Sequence, residues 1–211
     1  MNDTLHRPGE RTEAGLQRRS ASLLKQRVLE HEDANFARTL AWAKEDPALE
    51  RAAALIVSAR RRFLIGASTS FTYASLLAAE LGASLANVTL VDGTIVRPLD
   101  VLSDVRSSDV MIAISLQRYR RSTVDFAVPF AQAGGTLVLI TDAPDAPLVE
   151  HASESIVIGG QGEPGQNSPT AISLVLHVLA MLTTASAKGA ARRLIERDRL
   201  ASTLGVYVEG Q

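Results

Sequence analysis

Apolar positions fall along this chain in two rhythms. From Ser20 to about Glu45 the residues Leu23, Leu24, Val28, Phe36, Leu40 and Ala43 recur at helix-like intervals, and the spacing predicts a long helix. Glu45, Asp46 and Pro47 end that helix and begin another, because Asp46 is a good N-cap and Pro47 suits the first helical position. The second helix is predicted to run to about Ala59. Residues 1–19 are polar, include Pro8, Gly9 and Gly15 and show no period, so they read as a flexible tail.

From Arg62 onward the rhythm shortens. Five apolar runs appear at Phe63–Ile65, Val88–Val91, Val110–Ile114, Leu137–Ile140 and Ile156–Ile158. Each is rich in Val and Ile and too short for a helix, and helical patterns separate most of them. Continuous apolar strands alternating with helices predict an α/β fold with a five-stranded parallel sheet covered on both faces. The segment from Ser168 to about Leu204 reads as one or two helices, broken near Lys188 and Gly189. The chain thus divides into a tail (1–19), a helical segment (20–60), an α/β domain (61–187) and a C-terminal helix with its tail (188–211).

Composition narrows the function classes. With 211 residues, 46% hydrophobic and 21% charged, the chain can bury a sizeable core and is not a disordered one. Its net charge of −1 offers no global attraction to nucleic acid or to an anionic membrane. It has no cysteine, which excludes disulfides, thiolate metal sites and a Cys nucleophile, and which fits a reducing compartment. The first fifteen residues hold no apolar signal core. The longest apolar stretch, Ala171–Ala187, carries Ser173, His177, Thr183 and Thr184 and is short for a bilayer span, so it reads as a buried helix. A cytoplasmic protein without membrane association is expected.

The chemistry gathers where the strands end. The first strand closes on Ile65-Gly66 and passes through Ala67-Ser68-Thr69-Ser70 into a helix beginning near Phe71. A strand, a hydroxyl-rich turn and a helix N-terminus form an anion site, since free N–H groups and the positive helix end favour a phosphate. Ordinary capping by Ser and Thr is the competing reading. The third strand repeats the arrangement, with Ser115-Leu116-Gln117-Arg118-Tyr119-Arg120-Arg121-Ser122-Thr123 before a helix that ends at Gly134-Gly135. Three arginines in four positions suit bidentate contact with phosphate or carboxylate. Arg60, Arg61 and Arg62 instead follow a predicted helix C-terminus, where cations offset the dipole. Asp145, before Ala146-Pro147, reads as a cap. The glycine-rich stretch Gly159–Asn167 is either a lid or a plain connection. No His, Asp and Glu spacing suggests a metal, and no dinucleotide fingerprint, P-loop or nucleophile elbow is present, so no cofactor is expected.

With these loops placed, the chain resembles a sugar isomerase (SIS) domain from roughly Leu40 to Leu182. The stretches Ile65–Ser70, Ile114–Thr123 and Val138–Pro144 carry the likeness. The last two, with Tyr119, Arg121 and Thr123, are most similar to the ligand-sensing domain of RpiR-type transcriptional regulators, and Glu32–Ile56 resembles their helical linker. The resemblance implies a flavodoxin-like three-layer sandwich, preceded by N-terminal helices, that forms a homodimer or homotetramer and holds a sugar phosphate near the subunit interface. Ser68, Ser70, Ser115 and Thr123 would then grip the phosphate, with Gly66, Thr69, Gln117, Arg118, Arg120 and Ser168 completing the binding set. Two departures stand out. The helix-turn-helix of those regulators has no counterpart in the segment before Ser20, so direct nucleic-acid binding is not expected. The second loop reads Ser115-Leu116-Gln117-Arg118 where the family has Ser-x-Ser-Gly. Arg118 or Arg120 would replace the lost contacts, or the ligand carries another anion such as a carboxylate.

Aldose–ketose isomerisation needs a base that moves a proton between adjacent carbons, and an acid or relay for the oxygens. Glu80 and His177 match the catalytic Glu and His of heptose-phosphate isomerases in this superfamily, which would make Glu80 the base and His177 the acid. As plain residues they read as a solvent-facing Glu and a core histidine. The sequence therefore favours a phosphosugar-binding, RpiR-like sensing module over an isomerase. A structural partner that joins a full-length regulator is the third reading.

Overall fold

The computed structural model describes residues 8–158 and 168–208, with side chains from Ser20 onward. Among the described residues five strands, β1 (Arg61–Ile65), β2 (Val88–Leu90), β3 (Asp109–Ile114), β4 (Thr136–Thr141) and β5 (Glu154–Val157), form one sheet in the order β2-β1-β3-β4-β5. Every pairing is parallel. Seven α-helices accompany it there: α1 (Pro8–Glu45), α2 (Ala48–Ser58), α3 (Thr69–Ser84), α4 (Pro98–Leu102), α5 (Arg121–Gln132), α6 (Pro169–Ser186) and α7 (Ala190–Thr203). This is the expected doubly wound α/β sandwich.

Strand alternation builds two cores. Leu64, Ile112, Ile114, Val138 and Ile140 point to one face, where α2, α3 and α6 cover them. Phe63, Ile65, Met111, Ala113, Leu137 and Leu139 point to the other, under Val101 of α4 and Phe126, Ala127 and Phe130 of α5. The apolar length of α6 is spent on this packing, with Ile172, Val175, Leu176 and Leu179 buried. It is long and apolar enough to cross a membrane by composition, and its packing shows why: it is a core helix.

Helix ends show which polar residues are structural. The Asp46 carboxylate accepts from the backbone N–H of Ala48 at 2.9 Å and from Trp42 Nε1 at 2.9 Å, closing the joint between α1 and α2. Arg62 is buried and its guanidinium donates to the carbonyls of Ile56, Val57 and Ala86 at 2.7, 2.9 and 3.0 Å. It satisfies the open end of α2 as anticipated, and burial without a counter-ion lowers its pKa. Arg61 does something else. Its fork grips the fully buried Asp109 at 2.6 and 3.0 Å across the β1–β3 ladder, and this pairing raises its own pKa.

Two sequence expectations change. α1 reaches back to Pro8, into the segment read as a tail; Glu10, Arg11, Glu13 and Ala14 are good helix formers, so polarity there is not a lack of helix. The short α4 has no sequence signal beyond Pro98, because five residues carry too little period to detect. The glycine-rich stretch at 159–167 lies outside the described residues.

Candidate functional site

In the order β2-β1-β3-β4-β5 the chain leaves β1 in one direction and β3 in the other. The helices after those strands, α3 and α5, lie on opposite faces. A crevice must open between their loops at the carboxyl ends of β1 and β3, which is where doubly wound sheets bind ligands. A cavity of about 340 Å³ lies there. Ser68, Thr69 and Ser70 line one wall, Ser115, Gln117, Arg118, Arg120 and Thr123 the other, and Tyr73 and Ile172 the side toward α3 and α6.

The first loop is built around a close approach. A Cβ on Gly66 would lie 2.4 Å from the Ser70 carbonyl oxygen, so only glycine lets β1 turn this tightly into α3. Ser68 then takes φ 57° and ψ −129°, a left-handed region that non-glycine residues rarely adopt. Its hydroxyl does not cap α3. It accepts instead from Arg120 Nη2 at 3.3 Å, a bond between the two loops. The strained backbone is held by the first turn of α3, where Phe71 N–H donates to the Ser68 carbonyl at 3.0 Å.

The second loop is fastened from behind by β4. Ser115 continues the ladder through its N–H to the Ile140 carbonyl at 3.0 Å, and Thr141 Oγ1 donates to the Ser115 carbonyl at 2.8 Å. Asp142 accepts from the Gln117 backbone N–H at 3.1 Å and from the Tyr119 hydroxyl at 3.2 Å. Burial, reinforced by the Asp142 charge, pushes the Tyr119 phenol up to about 12. With its backbone so held, Ser115 presents a buried hydroxyl that has no hydrogen-bond partner among the described residues. Buried hydroxyls are nearly always bonded, so an orphan on a cavity wall is the mark of a missing ligand atom.

The remaining predicted residues lie apart from this wall. Gly66 faces a neighbouring hollow of about 290 Å³ beside Asp92. Ser168 is the N-cap of α6, accepting from the Ala171 N–H at 3.1 Å and donating to the Glu32 carboxylate of α1. Glu80 and His177 meet each other: His177 Nδ1 is 3.5 Å from Glu80 Oε1. Neither lines the cavity. Glu80 is seven residues beyond Tyr73, about 10 Å further along α3. His177 is exposed and not a core histidine, while Glu80 keeps Oε2 buried and unpartnered among the described residues. Sequence reasoning missed Tyr73 and Ile172 as lining residues and Asp142 as the brace of the second loop. Asp142 at the end of a strand was the available signal.

Site and fold together define a doubly wound α/β domain with an anion-receptive switch point. The chain belongs to the SIS domain family, whose model matches residues 55–185. The chain is similar to the sugar isomerase domain of the RpiR transcription factor from Sphaerobacter thermophilus, at 25% identity and TM-score 0.73 over 83% of this chain and 98% of that one. It shares its fold with the Vibrio vulnificus NanR protein in complex with ManNAc-6P, at 17% identity and TM-score 0.70, covering 86% of this chain and 69% of that one. An Escherichia coli CFT073 protein in complex with the phosphosugar arabinose 5-phosphate has the fold as well, at 19% identity and TM-score 0.61 over 85% and 98%. No curated protein matches the chain in sequence.

Proposed function

We propose that this chain is a phosphosugar-binding module in which the phosphate sits between the Ser68–Ser70 loop and Ser115, with the sugar toward Tyr73 and Ile172. The observation that carries the reading is the buried, unpartnered Ser115 hydroxyl opposite the N-terminus of α3. An anion there receives free helix N–H groups, the helix dipole and hydroxyl donors from both walls. The sugar phosphates in the NanR and Escherichia coli complexes support the ligand class.

Binding without turnover is favoured over isomerisation, because Glu80 and His177 engage each other outside the cavity lining. The test is proton NMR of aldose and ketose phosphates incubated with the protein in heavy water. Ligand broadening without deuterium uptake beside the carbonyl is expected. Uptake that vanishes in Glu80→Gln would make the protein an isomerase. Replacing Ser68 and Ser70 together by Ala should abolish binding and leave the fold intact; unchanged affinity would place the ligand elsewhere.

The functional unit is a homo-oligomer. Leu24 and Val28 continue by i−4 steps the face of α1 on which Glu32, Asn35 and Thr39 meet the body, yet they are 63% and 51% exposed. A second copy covers this stripe, together with the exposed Leu23. Light scattering should show a dimer or larger species that Leu24→Asp with Val28→Asp dissociates; a monomeric wild type refutes it.

A further inference from the structure

Three arginines stand within Arg118–Arg121, and the structure sorts them. Arg121 pairs with Asp125 one turn along α5, at 3.3 Å. Arg118 and Arg120 line the cavity, and neither has an acidic partner within ion-pair distance among the described residues. The nearest acid in the loop's scaffold, Asp142, is engaged by the Gln117 N–H and the Tyr119 hydroxyl and is not a lining residue. Among the described residues the lining holds no carboxylate at all.

These cations exceed what one phosphate neutralises. A phosphate monoester carries about −1.5 to −2 at neutral pH. Against it stand two guanidinium charges and roughly +0.5 from the α3 N-terminus. Arg120 is tied to the phosphate side through Ser68. Arg118 has no hydrogen-bond partner of its own among the described residues and remains for a second group. Its planar fork suits a carboxylate, which it can bind through two parallel bonds.

We infer that the preferred ligand is doubly anionic, a phosphorylated sugar acid whose carboxylate pairs with Arg118 while its phosphate occupies the Ser68–Ser70 and Ser115 site. This rests on the phosphosugar reading above and specifies its ligand. A neutral hydroxyl at the second position would leave Arg118 merely solvated, whereas a carboxylate gains a charge-assisted pair inside a crevice.

The test is titration calorimetry with matched pairs at fixed ionic strength: glucose 6-phosphate against 6-phosphogluconate, ribose 5-phosphate against ribonate 5-phosphate, and arabinose 5-phosphate against arabinonate 5-phosphate. At least one acid should bind ten times or more tightly than its aldose. In Arg118→Gln that ratio should fall to within about threefold of one, with Arg118→Lys intermediate because an ammonium cannot form the fork. Arg118 is exposed, so the thermal midpoint of each variant should match wild type and exclude a folding artefact. Aldoses that bind as well as their acids, or a preference that survives in Arg118→Gln, overturn the inference and leave the phosphosugar reading standing. Failure of every phosphate to bind overturns both.

Discussion

Gly66→Ala is the substitution on which the site's construction can be tested most directly. The added Cβ would meet the Ser70 carbonyl oxygen at 2.4 Å, its carbon at 2.6 Å and the Phe71 nitrogen at 3.0 Å. All three are backbone atoms of the first turn of α3, so no side chain can rotate out of the way. Ordinary contact begins at 3.4 Å, and the turn must withdraw by roughly 1 Å. Overpacking of that kind costs about 1–3 kcal/mol. The same withdrawal moves the N–H groups that face the cavity, and misplacing converging groups by 1 Å costs on the order of tenfold to a hundredfold. Gly82→Ala is the control within the same helix. Nothing lies within 4 Å of its Cβ position, and the residue is exposed, so the change should stabilise the protein by about 0.5–1 kcal/mol through helix propensity alone. Urea denaturation at constant slope gives both stabilities, and calorimetry with a bound phosphosugar gives the affinities. The reasoning fails if the two variants shift stability in the same direction, or if Gly66→Ala binds like wild type.

Three further outcomes follow from single groups. Ser115→Ala removes a buried hydroxyl that has no protein partner among the described residues, so stability should hold or rise by up to about 1 kcal/mol while phosphosugar affinity drops; a loss of both in denaturation and calorimetry would contradict that. The Tyr119 phenol, held up to about 12 by burial and then by Asp142, is raised above its ordinary value of 10.0. Its contribution to stability is therefore complete below pH 10 and is lost as pH rises through about 12. Absorbance titration at alkaline pH should show a last tyrosinate phase near 12 that Tyr119→Phe removes, and a wild-type titration finished well before that refutes it. Arg62→Met strips three carbonyls of their donor at the end of α2 and should cost about 2–5 kcal/mol in urea. Arg62→Lys should recover only part of this, and a loss below about 1 kcal/mol would show the carbonyls to be solvated.

The sheet was legible because its strands are buried on both faces. Runs such as Val110–Ile114 and Leu137–Ile140 carry no polar interruption and are too short for helices, which leaves a covered parallel sheet as the consistent reading. Long-range polar pairing was not legible. Arg60, Arg61 and Arg62 look alike as a run, yet Arg62 caps α2 while Arg61 reaches Asp109, its register partner 48 residues away. Strand parity separates the two neighbours, sending one guanidinium toward the α2 carbonyls and the other across the ladder. That assignment needs the register, and no local pattern encodes it.

The arginines of the second loop pose the same problem in a place where it bears on function. Arg121 and Asp125 stand at i and i+4, a spacing that on a helix predicts a pair and sets Arg121 apart from its neighbours. Arg118 and Arg120 precede the helix, so their surroundings depend on how β4 holds the loop, and Asp142 settles that by taking the Gln117 N–H and the Tyr119 hydroxyl. The carboxylate that could have neutralised the loop is used to shape it. Two guanidinium groups are thereby left facing a cavity that contains no acid among the described residues, beside a serine whose hydroxyl has no partner there. Glu80 and His177 make the opposite case: 97 residues apart in sequence, they meet on adjacent helices and face each other at 3.5 Å. The groups that match an isomerase are occupied with one another, whereas those suited to holding an anion have no described protein partner for that charge. This contrast is why binding, and not proton transfer, is the chemistry the site supports.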